Sequence, residues 1–274
     1  GTTWEQVLFV DENTGASDLE MDPNNPRILF AGMWHVSINT WNRGSGGPGG
    51  GIFVSRDGGD TWTKLQGHGL PTRPVGKVDV CMTAADARRV YALIETGDGV
   101  PWHGEETDSG ELWRSDDGGH NWQLVNHSQD LAGRSAYYTV CHVSPDDADE
   151  AYFLAAPMTY TFDGGHTYDT AGSEGAAMAR PGGDNHDMWI DPGNPDRMII
   201  ANDPGVAIST NRGRSWMRIQ LPIAQMYHVT ADNNVPYYVY GNRQDGPSFR
   251  GPSNSRTGGF GGGSISRGMW PWTS

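Results

Sequence analysis

The sequence predicts an all-β fold, a β-propeller built from four-stranded antiparallel blades. Three observations carry that expectation. A short turn motif ending in an aromatic residue recurs along the chain, an apolar strand behind a Pro- and Asn-rich turn recurs upstream of it, and no segment shows sustained helical periodicity. Composition agrees: glycine supplies 39 of 274 residues, which suits a chain made largely of hairpins. The 11 Trp, 10 Tyr and 7 Phe provide large apolar surfaces that a disordered chain lacks.

The turn motif reads Ser55-Arg56-Asp57-Gly58-Gly59-Asp60-Thr61-Trp62 and again Ser115-Asp116-Asp117-Gly118-Gly119-His120-Asn121-Trp122. Looser copies are Thr161-Phe162-Asp163-Gly164-Gly165-His166-Thr167-Tyr168 and Ser209-Thr210-Asn211-Arg212-Gly213-Arg214-Ser215-Trp216, where Asn211 replaces the acid. Such a carboxylate accepts nearby backbone N–H groups while the following glycines take positive φ, which closes a hairpin. The aromatic residue opens the outgoing strand and packs on its neighbours. Asp57, Trp62, Asp117, Trp122, Asp163, Tyr168, Asn211 and Trp216 are therefore read as structural. Gly1-Thr2-Thr3-Trp4 matches the end of the motif, so the chain is expected to begin inside a repeat.

Upstream, Asp22-Pro23-Asn24-Asn25-Pro26 precedes an apolar strand, as does Asp191-Pro192-Gly193-Asn194-Pro195, with looser copies before Val90 and Ala151. Each repeat thus reads as four short strands, here a to d; in the first they are expected at residues 19–21, 28–33, 51–55 and 61–65. The closing aromatics recur at intervals of roughly 46–60 residues, a spacing suited to propeller blades. Blades are expected at 17–66, 76–126, 137–171, 185–220 and 225–274, the last partial. Residues 1–10 are expected to form the outer strand of a preceding or closing blade.

The S-x-D-x-G-x-T-W pattern resembles the Asp-box, or BNR repeat, of sialidases, xyloglucan-active glycoside hydrolases and the Vps10 domain of sortilin. The runs Gly183-Asp184-Asn185-His186-Asp187-Met188-Trp189-Ile190-Asp191-Pro192 and Gln225-Met226-Tyr227-His228-Val229-Thr230 are similar to segments of large secreted bacterial proteins of the sortilin-like, BNR-repeat glycosyl hydrolase type. The resemblance implies export and a chain that is one portion of a larger propeller, with a closed five-bladed ring as the alternative. It also implies carbohydrate binding or glycoside hydrolysis. The alternatives are sortilin-like binding of a peptide or protein without catalysis, and a scaffold role for the remainder of a longer chain.

Charge narrows the partners. Lys and Arg number 19 against 33 Asp and Glu, a net charge of −14. A field of that sign repels phosphate backbones, which disfavours nucleic acid and suits neutral sugars or cationic ligands. No apolar run approaches the roughly 18–20 residues of a bilayer-spanning helix, so no membrane partner is expected. Cys81 and Cys141 lie in apolar strand-like runs, are too few for a disulfide framework and lack zinc-site spacing; they are read as buried thiols.

Strand order decides which end of the blades carries chemistry. The motif turns join c to d and the Asp-Pro turns join a to b, so both lie at one end. The longer b–c and d–a connections emerge at the other, where rigidly held loops are the usual home of binding groups. Trp34, His35, Trp41, Trp102 and His103 fall in two such insertions, and the Trp rings suit stacking on sugars, the alternative being that they fill space between blades. Asp184, His186, Arg243 and Gln244 join them as candidate binding residues. Glycoside hydrolysis uses two carboxyl groups, and Asp187, Asp203 and Asp245 are the candidates, with Glu105 and Glu106 in a loop above them. The alternative is that Asp184, Asp187 and Asp203 cap turns. Asp184, His186 and Asp187 are also of a ligand type suited to calcium, although no metal or other cofactor is assigned. Arg43, Arg134, Arg180 and Arg243 form no pattern that would mark a sialidase carboxylate site.

Overall fold

The computed structural model describes residues 1–97, 110–219, 225–244, 248–254 and 270–271. The chain divides into two compact units, Gly1–Ile219 and Gln220–Ser274. The first holds four antiparallel sheets. Sheet 1 comprises β1 (Thr14–Met21), β2 (Leu29–Ile38), β3 (Arg43–Ser45), β4 (Gly51–Ser55) and β5 (Thr63–Lys64), and sheet 2 comprises β6 (Val78–Met82), β7 (Val90–Ile94), β8 (Leu112–Ser115) and β9 (Gln123–Asn126). Sheet 3 comprises β10 (Val140–Val143), β11 (Ala151–Leu154), β12 (Met158–Thr161) and β13 (Asp169–Thr170). Sheet 4 comprises β14 (Asn185–Ile190), β15 (Met198–Asn202), β16 (Gly205–Ser209) and β17 (Met217–Ile219). The second unit carries sheet 5: β18 (Met226–Ala231), β19 (Tyr238–Arg243), β20 (Ser248–Pro252) and β21 (Trp270–Pro271). The protein is an all-β partial propeller; a single 3-10 turn at Gln129–Leu131 is the one helical element among the described residues.

Two local expectations change. Residues 1–10 form no strand; Leu8 and Val10 instead lie on an apolar patch of Ala31, Met33 and Phe53, beside Trp62. Side-chain burial, not a ladder, is what holds them. Trp34 and His35 belong to strand and not loop, because β2 runs on to Ile38 and a short β3 pairs back on it. The Gly-rich run that disguises this ladder supplies the close approach it needs: a Cβ on Gly47 would stand 2.4 Å from the His35 ring.

Each motif turn closes as its chemistry dictates. The Asp57 carboxylate accepts Ser55 Oγ at 2.7 Å, Thr61 N at 2.9 Å and Thr61 Oγ1 at 2.5 Å, and Trp62 Nε1 donates to the Gly59 carbonyl at 3.0 Å. Asp117 repeats this with Ser115 and Asn121. In the last turn Asn211 Oδ1 still accepts Ser209 Oγ and Ser215 N, while its amide donates to Ser215 Oγ at 2.8 Å. An amide therefore fits once the partner hydroxyl reverses its role. The turns also reach the a–b loops: the N–H groups of Gly58, Gly118, Gly164 and Arg212 donate to the carbonyls of Arg27, Arg88, Asp149 and Asp196. This places the two turn classes at one end of each of the first four sheets, as the strand order requires.

Sheets 1 to 4 stack through apolar faces. Strands β6, β7, β11 and β12 are buried along their whole length because sheets 2 and 3 have a neighbour on either side. Phe30 of sheet 1 is fully buried among Val80, Met82, Val90 and Trp122. Its ring presses on the turn of sheet 2 so closely that a Cβ on Gly119, which has φ +83°, would stand 2.7 Å from it. Between the inner strands, acidic side chains accept main-chain amides of the next sheet: Asp18 from Val80 at 2.9 Å, Glu20 from Met82 at 3.1 Å and Asp79 from Cys141 at 2.7 Å. Burial, reinforced by Asp18 and opposed by the Met82 amide, raises the Glu20 carboxyl from 4.5 to about 7.

Three outcomes follow from these contacts. Phe30→Ala removes the ring that joins sheets 1 and 2 and is expected to cost ~3–5 kcal/mol in a denaturant titration. Folded Glu20 holds its proton more tightly than the unfolded chain, so its contribution to stability falls as pH rises from 4.5 to about 7. Glu20→Gln keeps an acceptor for Met82 and should flatten that slope, leaving the variant more stable than wild type above the window. The Asp117 carboxyl behaves oppositely: hydrogen bonds from Asn121 lower it from 3.8 to about 2, so its stabilisation is present above 3.8 and lost as pH falls toward 2. Asp117→Ala should lower the thermal midpoint by a few degrees at neutral pH, and Asp117→Asn should recover most of the loss.

Candidate functional site

Opposite the motif turns, sheets 3 and 4 bring a set of polar and aromatic side chains together. The connector before β14 crosses the β11–β12 turn, where Asp184 N and Asn185 N donate to the carbonyls of Ala156 and Ala155, both at 3.0 Å. Asp184 takes φ +54° there, a conformation that Asp tolerates better than most residues. Its carbonyl then accepts Asp203 N at 3.1 Å. Asp203 sits in the tight β15–β16 turn ahead of Pro204 and Gly205, and its carboxylate meets His186 Nε2 at 2.9 Å. Three of the expected residues, Asp184, His186 and Asp203, are thus gathered at one place.

The connector before β10 supplies the rest. Tyr137 N and Tyr138 N both donate to the Arg134 carbonyl, at 2.7 and 3.0 Å, a compact turn that points both rings at His186. The ring centroids of Tyr137 and Tyr138 lie 5.8 and 5.7 Å from the imidazole and 4.9 Å from each other. The Arg134 guanidinium stands 5.0 Å from the Tyr137 centroid and 5.4 Å from that of Tyr138, and contacts the Asp184 carboxylate at 3.7 Å. Tyr138 is buried and donates its hydroxyl to Asp184. Desolvation and the Asp184 acceptor raise its phenol, so it stays a donor. Lys77 Nζ reaches the Tyr138 carbonyl from sheet 2. Tyr137, by contrast, is 50% exposed: an open ring beside the Arg134 guanidinium and the His186 imidazole.

The remaining candidates lie elsewhere. Asp187 stands four residues before the a–b turn residue Asp191, the position that Asp18 and Asp79 hold before Asp22 and Thr83. Those two are amide acceptors between sheets, and Asp187 faces His142 Nε2 at 3.5 Å, which lowers its carboxyl. This register favours an architectural role for it. Trp34 is tied down through Nε1 to Ser45 Oγ at 2.8 Å, and that hydroxyl donates to Glu95 at 2.5 Å. His35 Nδ1 lies 3.0 Å from Thr14 Oγ1. Trp41 occupies the tip of the β2–β3 hairpin and is 85% exposed. In the second unit, Gln244 accepts the Tyr227 hydroxyl at 2.7 Å and Arg243 pairs with Met226 across β19 and β18. Trp102, His103, Glu105, Glu106 and Asp245 fall outside the described residues.

The same end of sheets 1 and 2 holds an open groove of about 440 Å³, lined by Pro48, Lys64, Leu70, Arg73 and Val75 among others. Lys64 spans it to donate to the Pro48 carbonyl at 2.7 Å. Among the described residues no three His, Cys, Asp or Glu side chains converge as a metal site, and no helix is long and apolar enough to cross a membrane. Asp184, His186 and Asp187, though of a ligand type suited to calcium, do not form one centre: their carboxylates and ring engage Tyr138, Asp203 and His142 separately.

No protein-family model matches the chain, and no curated protein matches it. Among solved structures, a GH74 xyloglucanase from Xanthomonas campestris is similar at 14% identity and a TM-score of 0.51, over 91% of this chain and 38% of its own. YCF48 from Cyanidioschyzon merolae is similar at 13% identity and a TM-score of 0.48, over 92% of this chain and 71% of its own. An auxiliary nutrient binding protein from Bacteroides thetaiotaomicron is similar at 12% identity and a TM-score of 0.43, over 87% of this chain and 55% of its own. The chain therefore spans well under half of the xyloglucanase. At these identities the likeness is one of fold: an all-β, propeller-type chain.

Proposed function

We propose that this chain is an extracellular Asp-box propeller segment that binds carbohydrate on the rim opposite its motif turns, with Tyr137 as the contact ring. One observation carries the reading: a half-exposed tyrosine ring stands beside Arg134 and His186, which in turn contact the carboxylates of Asp184 and Asp203. A sugar offers an apolar face to an aromatic plane and hydroxyls around its edge, and this cluster has a partner for each. The ring is held by its neighbours before any ligand arrives, which lowers the ordering cost of binding. A net charge of −14 favours a neutral glycan over an anionic one.

Hydrolysis of a glycosidic bond asks for two carboxylates, and Asp184 and Asp203 are the pair assigned to it in this reading. Their backbones are hydrogen-bonded to each other, and each carboxylate has a side-chain partner, Tyr138 or His186, that fixes it. Binding and turnover separate by experiment. Calorimetry against a panel of neutral polysaccharides should show binding that Tyr137→Ala weakens at least tenfold, about 1.4 kcal/mol, with the fold unchanged by circular dichroism. No binding across the panel, or equal affinity in the variant, would remove the proposal. Release of reducing sugar by wild type and not by Asp203→Asn would extend it to hydrolysis.

A further inference from the structure

Cys81 on β6 and Cys141 on β10 belong to the inner strands of neighbouring sheets, 60 residues apart in sequence, yet their Sγ atoms lie 2.6 Å apart. Two separate thiols do not approach so closely, and an S–S bond measures ~2.0 Å. The strands are held in this register by contacts that owe nothing to sulfur. Asp79 Oδ2 accepts Cys141 N at 2.7 Å, and Thr83 Oγ1 donates to the Ser144 carbonyl at 2.6 Å, so one contact lies on each side of the pair. Both cysteines are buried, within the apolar cluster that joins sheets 2 and 3.

We propose that Cys81 and Cys141 form a disulfide that staples the inner strand of sheet 2 to that of sheet 3. The oxidant is a low-molecular-weight disulfide. One cysteine thiolate attacks it, forming a mixed disulfide and releasing one thiol; the second cysteine thiolate then displaces the other half. Two protons and two electrons leave the protein, and the donor is reduced to two thiols. The bond encloses β7, β8 and β9, so it fastens the whole of sheet 2 at its first strand and shortens the unfolded chain's reach.

Burial dictates when this happens. Desolvation raises the Cys81 thiol to about 11 and Cys141 well above its usual range, which suppresses the attacking thiolate once the sheets have closed. The bond therefore forms as β6 and β10 come together, and afterwards it is shielded from soluble reductant.

The test counts thiols. The reduced 274-residue chain is refolded in a mixture of reduced and oxidised glutathione, unfolded, alkylated and weighed by intact mass spectrometry. The expected result is a monomer with no adduct before reduction and two after it, and a proteolytic fragment joining Cys81 to Cys141. Cys81→Ser and Cys141→Ser should each leave one cysteine that is alkylated or carries glutathione. Two adducts on wild type without reduction, or linkage confined to dimers, would overturn the proposal. As a second measurement, wild type reduced in denaturant and refolded under reductant should melt below oxidised wild type, whereas the Cys81→Ala, Cys141→Ala double variant should melt alike after both treatments; equal wild-type midpoints would also overturn the proposal.

Discussion

Sheets 1, 2 and 3 share apolar faces but, among the described residues, no main-chain ladder, so their alignment rests on side chains that accept the amides of the next inner strand. Asp18, Glu20 and Asp79 do this for Val80, Met82 and Cys141. Apolar packing alone sets separation and leaves sliding open, because it is non-directional; a carboxylate aimed at one N–H fixes register. The arrangement carries a cost. These acids are desolvated, and burial raises the carboxyls of Asp18, Glu20 and Asp79. The protein thus gives up some stability near neutral pH in return for a defined angle between sheets.

The rim cluster lies across the next seam, between sheets 3 and 4, where main-chain bonds from Asp184 and Asn185 to the carbonyls of Ala156 and Ala155 set the alignment. Arg134, Tyr137 and Tyr138 come from the segment entering sheet 3, whereas Asp184, His186 and Asp203 come from sheet 4 and the segment that enters it. A shift of β14 against β10 would part the Tyr138 hydroxyl from Asp184 and the tyrosine rings from His186. The motif turns at the far end take no part in this chemistry. They close hairpins and tie the a–b loops to the c–d turns, and so free the opposite connections to vary in length and content.

The repeats were legible because each turn needs a particular acid, glycine and aromatic at fixed positions, a demand written locally in sequence. The site was only half legible. Asp184, His186 and Asp203 stood out as polar residues at strand ends, and strand order placed them at the end of the sheets where the structure gathers them. Arg134, Tyr137 and Tyr138 lie in a connector without a motif, and nothing local distinguishes a tyrosine that faces a histidine 50 residues away from one that fills a seam. Asp187 was ambiguous for a related reason: its register equivalence to Asp18 and Asp79, and its approach to His142, emerge only once partners across sheets are known. The extra strand β3 was hidden by glycines that read as loop but serve close packing against His35.

Sheet 4 carries one further lesson about repeated architectures. Its motif turn keeps the hairpin with Asn211 in place of the acid, because the Ser215 hydroxyl accepts the side-chain amide. A repeat that tolerates such an exchange can shed charge copy by copy without losing shape, so descendants of one ancestral unit drift in electrostatics while their geometry persists.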